Sequence, residues 1–411
     1  MPDILFLSHR IPFPPDRGDK IRSHHILKRL AQIGPVHVAT FADDEGDFAE
    51  EAHLAELAES YCLIERKKSL ALAGLEALAK GLPVSLTAFH STAIQRYFND
   101  LVDQGRIGTI YVFSGQMGQY VPASFTGRVI TDFCDVDSAK FEAFAAQGSF
   151  LRRWVHGREG LLLRAEEARL ARRAHVSLLV SQAEADLFRS RLPVKADARI
   201  AVRALRNGID CVLFDPALVS PAEAMMAMPA PRLVFTGQMD YAPNIAAAER
   251  VIARILPEIR KTLPDASFHV VGRSPAAGLL ARHGRHGVHV WGRVDDIRPW
   301  LKAADIALVP LEIGRGVQNK VLEAMAMALP VVLTPEAATG IDAEPSRDFL
   351  VAQDDAELAA AVVALVADPA RAQAMGQAAR AYVLDYASWE AALSDLPEIV
   401  DLGTRSPRHA S

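Results

Sequence analysis

The stretch that decides the fold runs from Val309 to Val332 and reads VPLEIGRGVQNKVLEAMAMALPVV. It leaves the end of an apolar run, passes Gly314 and Gly316, enters a helix expected over about 317–328, and meets Pro330 before the next apolar run. Strand, glycine turn, helix and strand form the repeating unit of a doubly wound α/β sheet, whose ligands sit outside the carboxyl ends of the strands. Glycines there let the backbone approach a ligand closely, and the following helix points its first N–H groups at an anion. Lys320 and Glu323 are three residues apart and share a helix face. That spacing suits an ammonium beside a diphosphate and a carboxylate accepting from a ribose diol. Taken alone, the two residues read more readily as an ordinary surface pair.

Similar apolar runs recur on both sides of this stretch. In the first half they are 4–7, 36–41, 110–113, 129–130 and 177–180; in the second, 233–236, 268–271, 288–291, 306–309 and 331–334. They are continuous rather than alternating, as in strands covered on both faces. Helical patterns lie between them, such as 244–259 after Pro243. A Pro- and Ala-rich segment near 215–231 separates the halves. The expected organisation is a first domain over 1–214, a linker over 215–231 and a second domain over 232–388. A helix near 389–400 is expected to return to the first domain, and a disordered tail to occupy 404–411.

Composition narrows the function. With 45 Lys and Arg against 50 Asp and Glu, the net charge of −5 argues against a general nucleic-acid binder but not against one phosphate-bearing ligand. The three cysteines, Cys62, Cys134 and Cys211, lie far apart, so neither a disulfide framework nor a zinc cluster is expected. The N-terminus lacks the basic and apolar regions of a secretion signal, and no uncharged apolar run reaches the roughly 20 residues that span a bilayer. A cytoplasmic protein is the expectation, with peripheral contact at the inner face of the membrane as an addition. Two basic stretches, Leu151–Gly160 and Arg66–Lys68, suit either an anionic membrane surface or a solvated patch.

The pattern PLxxGxGxxxKxxEAMAxxxPVV, with TGxMDYxPN at 236–244 and NGID at 207–210, resembles the retaining glycosyltransferase family 4. Within it, the likeness is to sugar transferases associated with bacterial exopolysaccharide gene clusters, and it extends to LSHRIPFPPDRGDKIRSHH and DFCDVDSAK in the first half. The resemblance implies the GT-B fold, two Rossmann-like doubly wound parallel-sheet domains facing a central cleft. It also implies a hexosyl- or related glycosyltransferase that uses a UDP- or GDP-linked sugar as co-substrate, with no metal and no other cofactor. The acceptor would be a saccharide or a polyisoprenyl-linked saccharide. By the same resemblance, Glu323 accepts the ribose hydroxyls, while Lys320, Gly237 and Gln238 face the diphosphate. Gly272 and Arg273 approach the nucleotide, and Val294, in WGRVDD, meets the base through its backbone. Gly314 and Gly316 border the helix. Two features depart from the family: Arg315 stands where a glutamate near the transferred sugar is usual, and the Arg and Lys after the first strand of the second half are missing. Arg315 and Lys320 are therefore expected to supply positive charge from the other side of the diphosphate.

In the first half, Gly18, Asp19 and Lys20 lie in the loop that GT-B enzymes place over the transferred sugar, although a solvated loop accounts for them as well. His24 and His25 read as structural, and Arg22 has no identifiable role. Asp135, then Asp132, stand where relatives have a histidine contacting the sugar; capping of the next helix is the competing reading. Other functions stay open. A GT-B-shaped sugar-nucleotide epimerase and a non-catalytic nucleotide-sugar binder are the alternatives. A dehydrogenase is disfavoured because no GxGxxG follows the first strand.

Overall fold

The computed structural model describes residues 3–145, 150–193, 200–313 and 317–401. The chain divides into two compact units, one spanning residues up to Asn207 together with those from Leu393 onward, the other Gly208–Ala392. The expected tail, 404–411, lies outside the described residues. The segment read as a linker, 215–231, includes a helical turn, Glu223–Met226, whose Met225 is buried in the core of the second unit. Residues after Leu393 rejoin the first unit, where Thr109 donates to the Val400 carbonyl (3.1 Å) and Arg128 to that of Ile399 (2.5 Å).

Among the described residues the first unit has seven strands: β1 (Asp3–Ser8), β2 (Val36–Ala42), β3 (Ser60–Glu65), β4 (Ile107–Phe113), β5 (Arg128–Cys134), β6 (Val176–Leu179) and β7 (Val202–Ala204). Their order is β3-β2-β1-β4-β5-β6-β7, all parallel. The second unit has six: β8 (Arg232–Thr236), β9 (Ser267–Val271), β10 (Val288–Gly292), β11 (Ile306–Val309), β12 (Val331–Leu333) and β13 (Leu350–Val351), in the order β10-β9-β8-β11-β12-β13. These pairs too are parallel. Both sheets reverse direction beside their first strand, between β1 and β4 and between β8 and β11, which creates a crevice at the strand ends. The continuous apolar runs are buried, with every residue of β2 and of β9 inside.

Five helices matter below: α1 (Gly18–Ile33), α2 (Leu70–Lys80), α3 (Phe150–Arg173), α4 (Ala242–Arg250) and α5 (Asn319–Ala326). α4 continues through a wider π turn at Val251–Ile255 into Leu256–Thr262. Pro257 explains the wider turn, because it has no N–H to give to the preceding turn.

A buried ion pair ties α1 to β5. Arg22 donates from Nε to Asp132 Oδ2 (3.1 Å) and from Nη2 to Oδ1 (3.2 Å), and both residues are buried. The Tyr111 hydroxyl adds a bond to Oδ2 (2.9 Å) and the Cys134 N–H one to Oδ1 (3.1 Å), while Arg22 Nη1 reaches the Asn207 side-chain oxygen (2.7 Å). In the second sheet, buried His269 sits between two polar partners. Trp291 Nε1 donates to its Nδ1 (3.1 Å), and its Nε2 lies 2.9 Å from Ser267 Oγ, which itself donates to the Pro229 carbonyl (2.7 Å). With the serine proton so engaged, His269 must carry its own proton on Nε2. The rings of His269, His289 and Trp291 stack.

Two stability effects follow. Arg22→Met strands the Asp132 charge in the core and is expected to cost about 3–5 kcal/mol in urea unfolding of the first unit. Burial, with His289 and Arg232 nearby, pushes His269 down to about 3. Unfolded histidine titrates near ~6.5, so below that pH the unfolded chain takes up a proton that the folded one refuses, and stability falls with pH down to about 3. His269→Gln, which cannot titrate, is expected to flatten the dependence of unfolding free energy on pH between these limits by up to ~1.4 kcal/mol per pH unit.

Candidate functional site

The crevice between β8 and β11 gathers most of the residues singled out in the second unit. β8 ends at Thr236, and Gly237 follows with φ 151°; β9 ends at Val271, and Gly272 follows with φ 156°. A Cβ on Gly272 would fall 1.7 Å from the Gly237 carbonyl oxygen, so no side chain fits there. The turns are joined through backbone bonds, Gly237 N–H to Val271 O (3.1 Å) and Gly272 N–H to Gly292 O (2.9 Å). This leaves the ends of β8, β9 and β10 lined with backbone rather than side chains.

Lys320, in the first turn of α5, reaches into this bare region. Its ammonium donates to Asn244 Oδ1 (2.6 Å), lies 4.9 Å from the centre of the Phe235 ring, and stands 3.4 Å from where a Cβ on Gly237 would be. Asn244 in turn donates to the Gln238 carbonyl (2.9 Å), so one buried amide couples α4, the turn after β8 and the α5 lysine. A guanidinium only donates, so the Gln238 amide presents its oxygen to Arg273, accepting from Nε (2.6 Å) and Nη2. The Met239 N–H bonds the Arg273 carbonyl (2.9 Å). Gly237, Gln238, Gly272, Arg273 and Lys320 are thus brought together. Asn244 sits within the TGxMDYxPN motif, but its part as the coupler needs the fold to be seen.

Glu323 lies one turn along α5 from Lys320. Among the described residues its carboxylate accepts no hydrogen bond, and its electrostatic neighbour is Lys320. Burial raises the Glu323 carboxyl to about 6 against the pull of Lys320. Burial also lowers the Lys320 ammonium to about 8, with Glu323 pulling it back up. An acceptor-only carboxylate without a donor and a desolvated ammonium, side by side at a strand-end crevice, can together hold a ligand that offers hydroxyl donors and negative charge. Val294 is partly buried and packs against the core of this unit. Gly314, Arg315 and Gly316 lie outside the described residues.

The first-unit candidates are placed differently. Lys20 is buried, and its ammonium bonds Asp47 and the Phe13 carbonyl (2.8 Å), so its charge is already paired within the first unit. Asp132 is likewise spent on Arg22, Tyr111 and Cys134, and no carboxylate oxygen is left for a sugar. Sequence spacing hides both pairings, since each partner comes from a distant segment. Gly18 begins α1 with nothing near its Cβ position. Asp19 accepts from Arg10 (2.7 Å) and lies 3.3 Å from His9 Nε2. Burial works to raise its carboxyl, but the bonds from His9 and Arg10 hold it well below the usual range. Asp135 keeps a partly exposed side chain, paired with Lys140 (2.8 Å). Among the described residues no cluster of three or more His, Cys, Asp or Glu side chains is arranged to hold a metal ion.

Residues 230–368 match the family described as glycosyl transferases group 1. Over 206 residues the chain is 29% identical to the GDP-mannose-dependent monoacylated alpha-(1-6)-phosphatidylinositol monomannoside mannosyltransferase of Corynebacterium glutamicum, covering 45% of this chain and 52% of that protein. Over 210 residues it is 31% identical to the alpha-maltose-1-phosphate synthase of Mycolicibacterium smegmatis, covering 46% and 53%. The chain thus spans about half the length of the curated relatives it matches. Among solved structures, the sucrose-phosphate synthase of Thermosynechococcus elongatus superposes with a TM-score of 0.61 at 18% identity, covering 97% of this chain and 98% of that one. Anabaena HepE in complex with UDP and glucose gives 0.57 at 16%, covering 97% and 99%. The architecture is the GT-B fold of two Rossmann-like parallel-sheet units, and the group 1 glycosyl transferase pattern lies in the second.

Proposed function

We propose that this protein is a glycosyltransferase that moves a sugar from a UDP- or GDP-linked donor to a saccharide or lipid-linked saccharide acceptor, with retention at the anomeric carbon, in exopolysaccharide assembly at the inner face of the membrane. The observation that carries the proposal is the Lys320–Glu323 pair at the β8/β11 crevice: an ammonium tethered by a neutral amide, and a carboxylate that accepts no hydrogen bond among the described residues. In this reading Glu323 accepts the ribose hydroxyls, and Lys320 exchanges Asn244 for the diphosphate. The flat glycine backbone at 237 and 272 lets the phosphates come close, and Val294 meets the base. As the glycosidic bond to the phosphate breaks, Lys320 and the first N–H groups of α5 offset the charge that develops on the departing nucleoside diphosphate. The acceptor hydroxyl attacks from the same face. Neither a metal nor another cofactor enters the scheme. Arg315 adds positive charge from the preceding loop, and Asp135 is the first-unit residue assigned to the sugar. The family match over 230–368, and HepE's capture with UDP and glucose, support this assignment of donor class.

A panel of nucleotide sugars tests the reading by thermal shift. A donor at ~100 times its dissociation constant should add ~2.7 kcal/mol of stability, and release of nucleoside diphosphate should follow on adding acceptor. Binding without release under any acceptor would assign the chain to a non-catalytic binder. Glu323→Ala or Lys320→Ala should weaken donor binding by about 10- to 100-fold, the worth of one hydrogen bond to a charged group. With Glu323 titrating at about 6 and Lys320 at about 8, affinity should be greatest between those values and fall on both sides. Glu323→Gln should remove the acid limb of that profile, and Lys320→Met the alkaline limb. Wild-type affinity in both variants would end the proposal.

A further inference from the structure

In the first unit, helix α2 presents its faces the wrong way round for a helix packed in a globular fold. It buries Ala73 and Ala77, and it turns Leu72, Leu75 and Leu78 outward at 61, 67 and 53% exposure. At 100° per residue, Leu75 points directly away from the line joining the two alanines, so the stripe of leucines is the outer face. Helix α3 contributes a second stripe: Phe150, Trp154 and Leu161, spaced four and seven residues apart, are 86, 51 and 68% exposed. The helices are neighbours, because Arg158 of α3 donates to the Ala77 (2.8 Å) and Leu82 (3.2 Å) carbonyls at the end of α2. Gly81, Trp154, Gly157 and Leu161 line the groove between them.

The charge around this apolar surface is positive, although the chain as a whole is acidic. Lys67, Lys80 and Arg153 are exposed near it, whereas Arg152 lies on the opposite side of α3 from Phe150, Trp154 and Leu161. The nearby carboxylates are fewer: Glu65 pairs with Lys67 (2.8 Å), Glu76 is shared by Lys68 (2.8 Å) and Lys80 (2.7 Å), and buried Glu159 accepts from the backbone of Val84 and Ser85. Arg66, by contrast, turns inward to Asp43 (2.7 Å).

We infer that the α2–α3 face docks on a lipid bilayer bearing anionic headgroups. The leucines, Phe150 and Trp154 enter the boundary between headgroups and acyl chains, and the surrounding lysines and Arg153 lie against lipid phosphates. The charge decides between this occupant and a second copy of the chain: a two-fold pairing would set the same cations against one another, whereas an anionic surface neutralises them. The inference goes beyond donor binding and stands on the first unit alone, so it survives or fails separately from the reading of Lys320 and Glu323.

Sedimentation of the full chain with vesicles tests it. Wild-type protein should bind phosphatidylcholine vesicles containing phosphatidylglycerol, bind pure phosphatidylcholine weakly, and lose affinity as salt is raised. Leu75→Glu with Leu78→Glu should weaken vesicle binding at least about tenfold. Lys67→Glu with Arg153→Glu should remove the preference for phosphatidylglycerol by a similar factor. All four positions are on the surface, so an unchanged unfolding temperature and an unchanged nucleotide-sugar shift would show that both units remain intact. Wild-type protein left in the supernatant with anionic vesicles, or leucine variants that bind as wild type does, would overturn the inference. Self-association that the leucine variants abolish, with no vesicle binding, would overturn it too and give the face to a second copy.

Discussion

The second unit is organised around the place where two backbones touch. A Cβ on Gly272 would collide with the Gly237 carbonyl, so the turn after β9 could not carry a side chain without moving the ends of β8 and β9 apart, and one on Gly237 would press on the Asn244 amide. Because that corner is bare, a long side chain from another element can enter it, and Lys320 does, crossing from α5 to the amide of Asn244 on α4. The turn after β8 has no cation of its own in GQMDYAPN, yet an ammonium lies beside it. Position in space, not position in the chain, decides which charge faces the crevice.

The two units treat their charges in opposite ways. In the first, Asp132 has Arg22, Tyr111 and Cys134, Lys20 has Asp47 and the Phe13 carbonyl, and Asp43 has Arg10 and Arg66. Networks satisfied to this degree hold a fold in one arrangement and resist opening to a ligand, because every lost bond leaves a buried charge. In the second, Lys320 is held by a neutral amide and Glu323, among the described residues, by its neighbour's charge. Keeping these groups desolvated and only partly satisfied costs stability, and such cost concentrates where a ligand completes the set.

The sequence was a good guide to strands covered on both sides and a poor one at the margins of the sheets. The apolar runs at 4–7, 36–41, 110–113, 268–271 and 306–309 coincide with interior strands, where burial on both faces forces continuous hydrophobicity. β3, β7 and β13 escaped notice, and all three are edge strands; β3 is only half-buried along most of its length, and β13 is two residues long. Helix spacing correctly set Lys320 and Glu323 on one face, because that is a local relation. Arg22 and Asp132 are 110 residues apart and Lys20 and Asp47 are 27 apart, relations that only the sheet order creates. Asn244 was in view inside a quoted motif, but its meaning depends on α5 arriving beside it.

Helix α2 shows the same limit from the other direction. Its Ala- and Leu-rich pattern suggests that the leucines should be the buried side, since they carry more apolar surface than alanine. The fold instead holds α2 largely through its backbone: Thr87 donates to the Ala73 carbonyl (2.8 Å), and Arg158 to those of Ala77 and Leu82. Small side chains on the inner face allow that close approach. The leucines therefore contribute little to packing within the unit, and smaller or polar residues would serve the fold as well while exposing less apolar surface to water. An apolar stripe that the fold does not need, with more cations than carboxylates near it, is matched to something outside the unit that is apolar beneath a negative surface.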